Sequence, residues 1–172
     1  MVGLPSLLSG TPRDASFDPP DAFVPEHLPD PGPFLVDAHV LAGGDHCAFH
    51  DVTREVFEER GVYDVTFGYN LARLNRDRRH PDAGYRYAEE SAAVLRAEFT
   101  PTTPFCPQSR ALTTGSFRAW NALRERHGYD LVRVRVAPSH QESAAINDAL
   151  DALETEFRET GSVPEPEEEA AR

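Results

Sequence analysis

Hydrophobic and polar positions follow a helical period in three parts of the chain. Apolar side chains recur at helical spacing over residues 45–60, and again from Cys106 to about residue 127. The clearest period covers residues 141–158, where the apolar positions are three or four residues apart. These patterns predict three amphipathic helices, and the last is the best defined.

Strand-type patterns fall between these helices. Apolar and aromatic side chains predict strands over residues 69–74 and 85–99, separated by a polar loop. Residues 131–136 alternate strictly, with valines on one side and Arg133 and Arg135 on the other, which predicts a strand with one solvated face. The order α-β-β-α-β-α predicts an α+β fold with two layers, in which the helices pack on one face of a small mixed sheet.

The two ends of the chain lack such periods. Residues 1–36 are rich in proline and have few regularly spaced apolar positions, so we expect an extended or disordered arm. Residues 161–172 form an acidic tail that we expect to be disordered. The folded domain is therefore predicted to span residues 37–160.

Charge and composition narrow the function. The chain has 172 residues and a formal net charge of −12, which argues against nucleic acid and anionic membranes as partners. All 17 basic residues are arginine, and an acidic chain without lysine is typical of an extreme halophile. Two cysteines are too few for a disulfide framework, and no segment resembles a signal peptide or a membrane span. These features predict a cytoplasmic protein with free thiols.

Cys106 is the residue that most suggests chemistry. It lies between Pro104 and Pro107, where a strand is predicted to give way to a helix. Unpaired N–H groups at a helix N-terminus favour an anion, so a thiol placed there would ionise readily and could act as a nucleophile or a soft-metal ligand. A buried, inert cysteine at a strand–helix corner is the alternative.

Two segments of the chain form a recognisable pair. Residues 98–107 are a predicted strand that leads into a Thr-x-Pro-x-Cys motif and then a helix, and residues 134–147 contain a Pro-Ser-His segment with a later Glu-Ser and Asn. Together they resemble the small iron–sulfur cluster assembly domain family that includes SufT and the PaaD accessory protein, in which the second segment reads Pro-Gly-Thr-His with a later Ser-Glu and Asn. The chain lacks the family's Asp-Pro-Glu turn and its Leu-Gly-Leu strand, so it looks like a divergent, haloarchaeal-type member.

The resemblance implies a protein that assembles, carries or targets iron–sulfur clusters. It places the required cysteine at Cys106 and the surrounding cluster-binding positions at Thr103, Pro104 and His140. His140 could also be a helix cap or a surface residue. Because a cluster usually needs about four ligands, one thiolate per chain would need a homodimer, an assembly protein or a client apoprotein to complete a transient site.

A second group of possible ligands lies near the start of the first predicted helix. His46 and His50 are four residues apart and share a helix face with Cys47 close by, and His39 precedes them. Together with Cys106 they could bind mononuclear zinc or iron, or part of a cluster. The alternative is that the histidines are exposed and Cys47 is a small buried residue.

Two other functions remain open. One is a thiol-dependent enzyme in which Cys106 is the nucleophile and His140, His50 or His46 is the base. The other is a metal-free interaction module with the same fold. The basic group at residues 76–80 could be a docking surface, although a solvated loop is the simpler interpretation.

Overall fold

A mixed four-stranded sheet is the framework of the domain, in a computed structural model that describes residues 16–163. Its four strands are β1 (His39–Val40), β4 (Gly84–Glu89), β5 (Val94–Thr100) and β6 (Leu131–Val136). They lie in the order β1–β4–β5–β6, where β4 pairs with β5 antiparallel and β5 pairs with β6 parallel. A separate two-stranded hairpin consists of β2 (Tyr63–Asp64) and β3 (Tyr69–Asn70).

Three helices form the second layer. They are α1 (Gly43–Arg60), α2 (Ser109–Ala122) and α3 (Ser143–Thr160). Trp120 of α2 and Phe57 of α1 are fully buried against Tyr85 of β4, and α3 adds Leu150 and Phe157 to the same core. The predicted α+β fold and its order of principal elements are thus confirmed. No helix within residues 16–163 combines the length and the apolar character needed to cross a bilayer.

The predicted strands at residues 69–74 and 85–99 are wrong in extent. The first stops at Asn70, whose side-chain oxygen accepts the N–H of Ala72 at 2.9 Å and starts a 3-10 helix, Leu71–Arg76. The second is two strands, because the chain reverses at residues 90–93, where the N–H groups of Glu90 and Ser91 bond the carbonyl of Val94. The long predicted hairpin is replaced by the tight hairpin β4–β5.

Arg133 and Arg135 were predicted to face solvent, but residues 29–37, which we call the strap, cover that face of the sheet. The fully buried Leu35 anchors the strap, and its Phe34 ring lies about 5 Å from the guanidinium carbons of both arginines. On the sheet, Glu98 accepts the N–H of Gly32 at 2.6 Å. Residues 16–36 of the predicted arm therefore include packed positions.

The outer parts of the two predicted end segments, residues 1–15 and 164–172, lie outside the described part of the chain. At the start of the predicted acidic tail, Gly161 ends α3 in the left-handed conformation, and Val163 packs on the core.

Candidate functional site

Cys106 and His140 lie at the same edge of the sheet. β5 and β6 are parallel, so both strands end at this edge, and the chain continues from β5 towards Cys106 and from β6 towards His140. The sequence separates these two residues by 34 positions, but the fold brings them into contact. Parallel strand pairing is therefore what assembles the candidate site.

The thiol lies in a loop before α2. The N–H of Cys106 bonds the carbonyl of Thr103 at 3.4 Å, and its carbonyl accepts the N–H of Ser109, the first residue of the helix. Cys106 is half-buried, whereas the neighbouring Phe105 is 66% exposed. Pro104 and Thr103 are exposed in the same loop. As predicted, the cysteine precedes a helix, but it lies two residues before the N-cap Gln108.

His140 fastens this loop to the turn after β6. Its Nε2–H donates to the carbonyl of Cys106 at 2.8 Å, and its Nδ1 accepts the N–H of Glu142 at 2.9 Å. A carbonyl can only accept and a backbone N–H can only donate, so these two contacts fit the tautomer that carries its proton on Nε2. The backbone N–H of Gln141 also donates to the backbone carbonyl of Pro104 at 2.9 Å. His140 is only 4% exposed, and neither ring nitrogen is left to take a proton from the thiol.

His46, Cys47 and His50 lie in a different part of the domain. The rings of His46 and His50 are stacked with their centroids 5.5 Å apart, and both histidines are buried. His50 bonds the carbonyl of Ala72 at 2.7 Å and the Tyr87 hydroxyl at 2.5 Å, so both of its ring nitrogens are engaged. His46 Nδ1 is buried without a hydrogen-bond partner.

Burial controls the protonation of this group. It lowers the pKa of His46 to about 3, with a smaller effect from the charges of His50 and Arg86. It also lowers the pKa of His50 to about 4. The pKa of the half-buried Cys47 is raised, first by burial and then by Asp21. All three groups are therefore neutral near pH 7, and the expectation that the histidines would be exposed is wrong.

The fold does not join this group to Cys106. Phe49, on the same turn of α1, contacts His127 and Tyr129, which follow the C-terminal end of α2. Cys106 precedes the N-terminal end of α2. Within residues 16–163, no group of three or more histidine, cysteine or acidic residues is arranged to hold a metal ion. The predicted shared site is not assembled in this arrangement.

An arginine-lined pocket was missed by the sequence analysis. It has a volume of about 410 Å³ and lies between α1, the β2–β3 hairpin and the 3-10 helix. Arg54, Arg73 and Arg76 line it. Of these, only Arg76 belongs to the basic group recognised in the sequence, and the neighbouring Arg79 is paired with Asp77 at 2.7 Å. The spacing of Arg73 and Arg76 was the available signal, but Arg54 is brought in by the packing of α1.

The fold and the thiol loop define a small α+β domain with a fastened cysteine at the carboxyl edge of its parallel strand pair. The chain belongs to the family described as Domain of unknown function (DUF7998), whose model matches residues 15–164. This match begins well before residue 37, in agreement with the packing of the strap. Comparison with curated proteins and with solved structures gave no match.

Proposed function

We propose that this protein is an accessory factor for iron–sulfur cluster assembly or maturation, and that Cys106 contacts the cluster or its donor. The observation that carries the proposal is the placement of a half-buried thiol beside an exposed aromatic side chain, Phe105, on a loop fastened by His140. The cluster is cargo in this proposal. The family resemblance of residues 98–107 and 134–147 supports the same function.

The chemistry of the loop is suited to transfer rather than to storage. A thiolate is a soft ligand for iron, but a cluster needs about four such positions and the loop supplies one. A second copy, an assembly protein or a client apoprotein would supply the others. An exposed phenylalanine next to the thiol offers apolar area for such a partner, and the fixed loop backbone limits the entropy lost on docking.

Mononuclear zinc or iron at Cys106, Cys47, His46 and His50 is a weaker proposal. Cys106 is at the other end of α2 from the side chains that pack around the start of α1. Both ring nitrogens of His50 are already bonded within the protein. A metal at this group would need His50 to give up the carbonyl of Ala72 or the Tyr87 hydroxyl.

A thiol-dependent enzyme is also less well supported. Its base would have to be a histidine within reach of the thiol, and His140 uses one nitrogen on the Cys106 carbonyl and the other on Glu142. A metal-free interaction module is the stronger second candidate, because the exposure of Phe105 favours partner binding with or without a cluster.

Anaerobic reconstitution tests the proposal, with Cys47→Ser as the matched control for Cys106→Ser. Both thiols are half-buried, and they lie in different parts of the domain. With ferrous iron and sulfide under argon, we expect visible cluster absorption in the wild type and in Cys47→Ser, and its loss in Cys106→Ser.

Three results would contradict this function. Equal absorption in Cys106→Ser and the wild type would remove the thiol from the site. A colourless wild-type protein whose Cys106 reacts rapidly with iodoacetamide near neutral pH would favour the nucleophile instead. A colourless protein with slow labelling, which binds a partner through Phe105, would favour the interaction module.

A further inference from the structure

Two cations of the arginine-lined pocket form no ion pair with a carboxylate of the described residues. They are Arg73 and Arg76. The guanidinium of Arg73 lies 4.1 Å from the centre of the Phe17 ring, and its Nε is buried without a hydrogen-bond partner. Arg76 donates to the backbone carbonyl of Asp18 at 3.1 Å, and the Asp18 carboxylate attracts it without forming an ion pair.

The third arginine lies at the rim of the pocket. Arg54 is about half exposed and pairs with Asp51 at 3.1 Å. Burial lowers the pKa of Arg76, and the positive charges of Arg73 and Arg54 lower it further, so the three guanidiniums are close enough to repel one another. Such an arrangement is unfavourable by itself and becomes favourable when an anion lies between the cations.

The planar guanidinium group also indicates which anion fits. Forked donors on α1 and on the 3-10 helix, which line one pocket, match a tetrahedral oxyanion, whose oxygens point in several directions. A pocket of about 410 Å³ is within the range of roughly 300–1,000 Å³ found for small-molecule sites, so it has room for more than the anion. Pro20, Gly68 and Ala72 give part of its wall an apolar or uncharged surface.

Two carboxylates near Arg54 set a limit on the rest of the ligand. They are Glu58 and Asp51, which line the pocket together with the arginines. Glu58 accepts hydrogen bonds from Tyr63 at 2.6 Å and from Asn70 at 3.3 Å, and these bonds lower its pKa, so it is charged at pH 7. A second acidic group in the ligand would meet these carboxylates, whereas hydroxyl groups could donate to them.

We propose that this pocket binds a phosphorylated small molecule, with its phosphate between Arg73, Arg76 and Arg54 and its uncharged, hydroxyl-bearing part towards Glu58. The site is built from α1, the β2–β3 hairpin and the 3-10 helix, and no residue of the Cys106 loop lines it. This inference therefore does not depend on the function proposed for Cys106.

Calorimetric titration of the full chain at constant ionic strength tests the site with three probes: glycerol 3-phosphate, inorganic phosphate and succinate. We expect saturable binding of one glycerol 3-phosphate per chain, weaker binding of phosphate and none of succinate. Arg73→Gln and Arg76→Gln should each weaken glycerol 3-phosphate binding at least tenfold. Arg110→Gln is the matched control, because Arg110 is an exposed residue of α2 outside the pocket and its loss changes the net charge equally.

Arg54→Gln guards against misfolding as the cause of a lost signal. Arg54 is exposed and has only surface ion pairs, so the variant should fold normally and still bind glycerol 3-phosphate more weakly than the wild type. The proposal is overturned if the wild type binds neither phosphate probe saturably, or if succinate binds as well as glycerol 3-phosphate. It is also overturned if Arg110→Gln weakens binding as much as Arg73→Gln, since the attraction would then be diffuse.

Discussion

Removing the side chain of Leu35 should destabilise the whole domain, because this residue anchors the strap to the sheet. Leu35 is fully buried, while its neighbour Val36 is 64% exposed. One turn holds both residues, because the N–H groups of Leu35 and Val36 both donate to the carbonyl of Gly32. Leu35→Ala and Val36→Ala therefore shorten adjacent apolar side chains on one backbone, one buried and one not.

The size of the effect follows from burial. Truncating a fully buried leucine to alanine costs about 2–5 kcal/mol of unfolding free energy. The strap is a single layer of chain that can move to fill part of the cavity left by the shorter side chain. We therefore expect the lower part of this range, about 2–3 kcal/mol. For a chain of this length that corresponds to a fall in Tm of roughly 4–12 °C. Val36→Ala should change stability by less than about 0.5 kcal/mol.

Urea unfolding followed by tryptophan fluorescence measures both variants. The chain has one tryptophan, and Trp120 is fully buried on the opposite face of the sheet from the strap. A lower midpoint in Leu35→Ala with an unchanged slope would show that the strap unfolds together with the core. If the midpoints of the two variants coincide, Leu35 does not anchor the strap and the reasoning is refuted.

Three further predictions concern individual contacts. Gly32→Ala should lower the urea midpoint, because a Cβ at this position would lie 2.6 Å from both carboxylate oxygens of the buried Glu98. Asp77→Asn should destabilise the protein on the order of 2 kcal/mol at pH 7. Burial raises the pKa of Asp77, but hydrogen bonds from Arg79 and Tyr69 outweigh it and lower this pKa to about 2. Unfolding curves should therefore show that the difference in stability between the wild type and Asp77→Asn shrinks as the pH falls from about 4 to 2. In the wild type, acid should reduce the free energy of unfolding below about pH 6.5, because the pKa of folded His46 is lowered to about 3 and the unfolded chain therefore binds the proton first. His46→Phe should make this acid-induced loss smaller in unfolding curves recorded across the same pH range. An unchanged pH profile would contradict the burial of His46.

The elements that could be predicted from the sequence are those whose pattern is local. The last helix and β6 have regular periods, and both were found within about two residues of their observed ends. The sequence predicts one strand across the β4–β5 hairpin because residues 90–93 (Glu-Ser-Ala-Ala) contain no glycine, proline, asparagine or aspartate, and Ser91 alone is a weak mark of a turn. Only strand pairing reveals where that chain reverses.

The strap and the candidate site required tertiary information. The strap faces arginines and Glu98 rather than an apolar surface, so most of its contacts leave no hydrophobic period in the sequence. Cys106 and His140 were both named from their motifs, but their contact depends on the parallel pairing of β5 and β6. The expected approach of His46 and Cys47 to Cys106 depended on the direction in which α1 packs on α2, which periodicity does not specify.

The exclusive use of arginine has a structural basis on the strap-facing side of the sheet. Arg96 donates to the carbonyl of Phe34 and to Asp37 while its guanidinium lies near the Phe34 ring, and Arg135 combines a similar ring contact with Glu154 and Asp151. A planar group with several fixed donors can stack and bond at once, which an ammonium group cannot do. Arginines on this side are thus balanced by the protein's own carboxylates and carbonyls.

The pocket arginines Arg73 and Arg76 differ from the arginines on the strap side of the sheet in their ion pairing, a difference that composition does not reveal. On a chain with a net charge of −12, carboxylates are abundant, and the buried Glu154 already serves Arg133, Arg135 and Arg158. Within residues 16–163, Arg73 and Arg76 form no such ion pair although acids are abundant. Two cations that repel each other beside an open cavity lower the stability of the empty protein, and a bound phosphate would offset that cost by forming ion pairs with both.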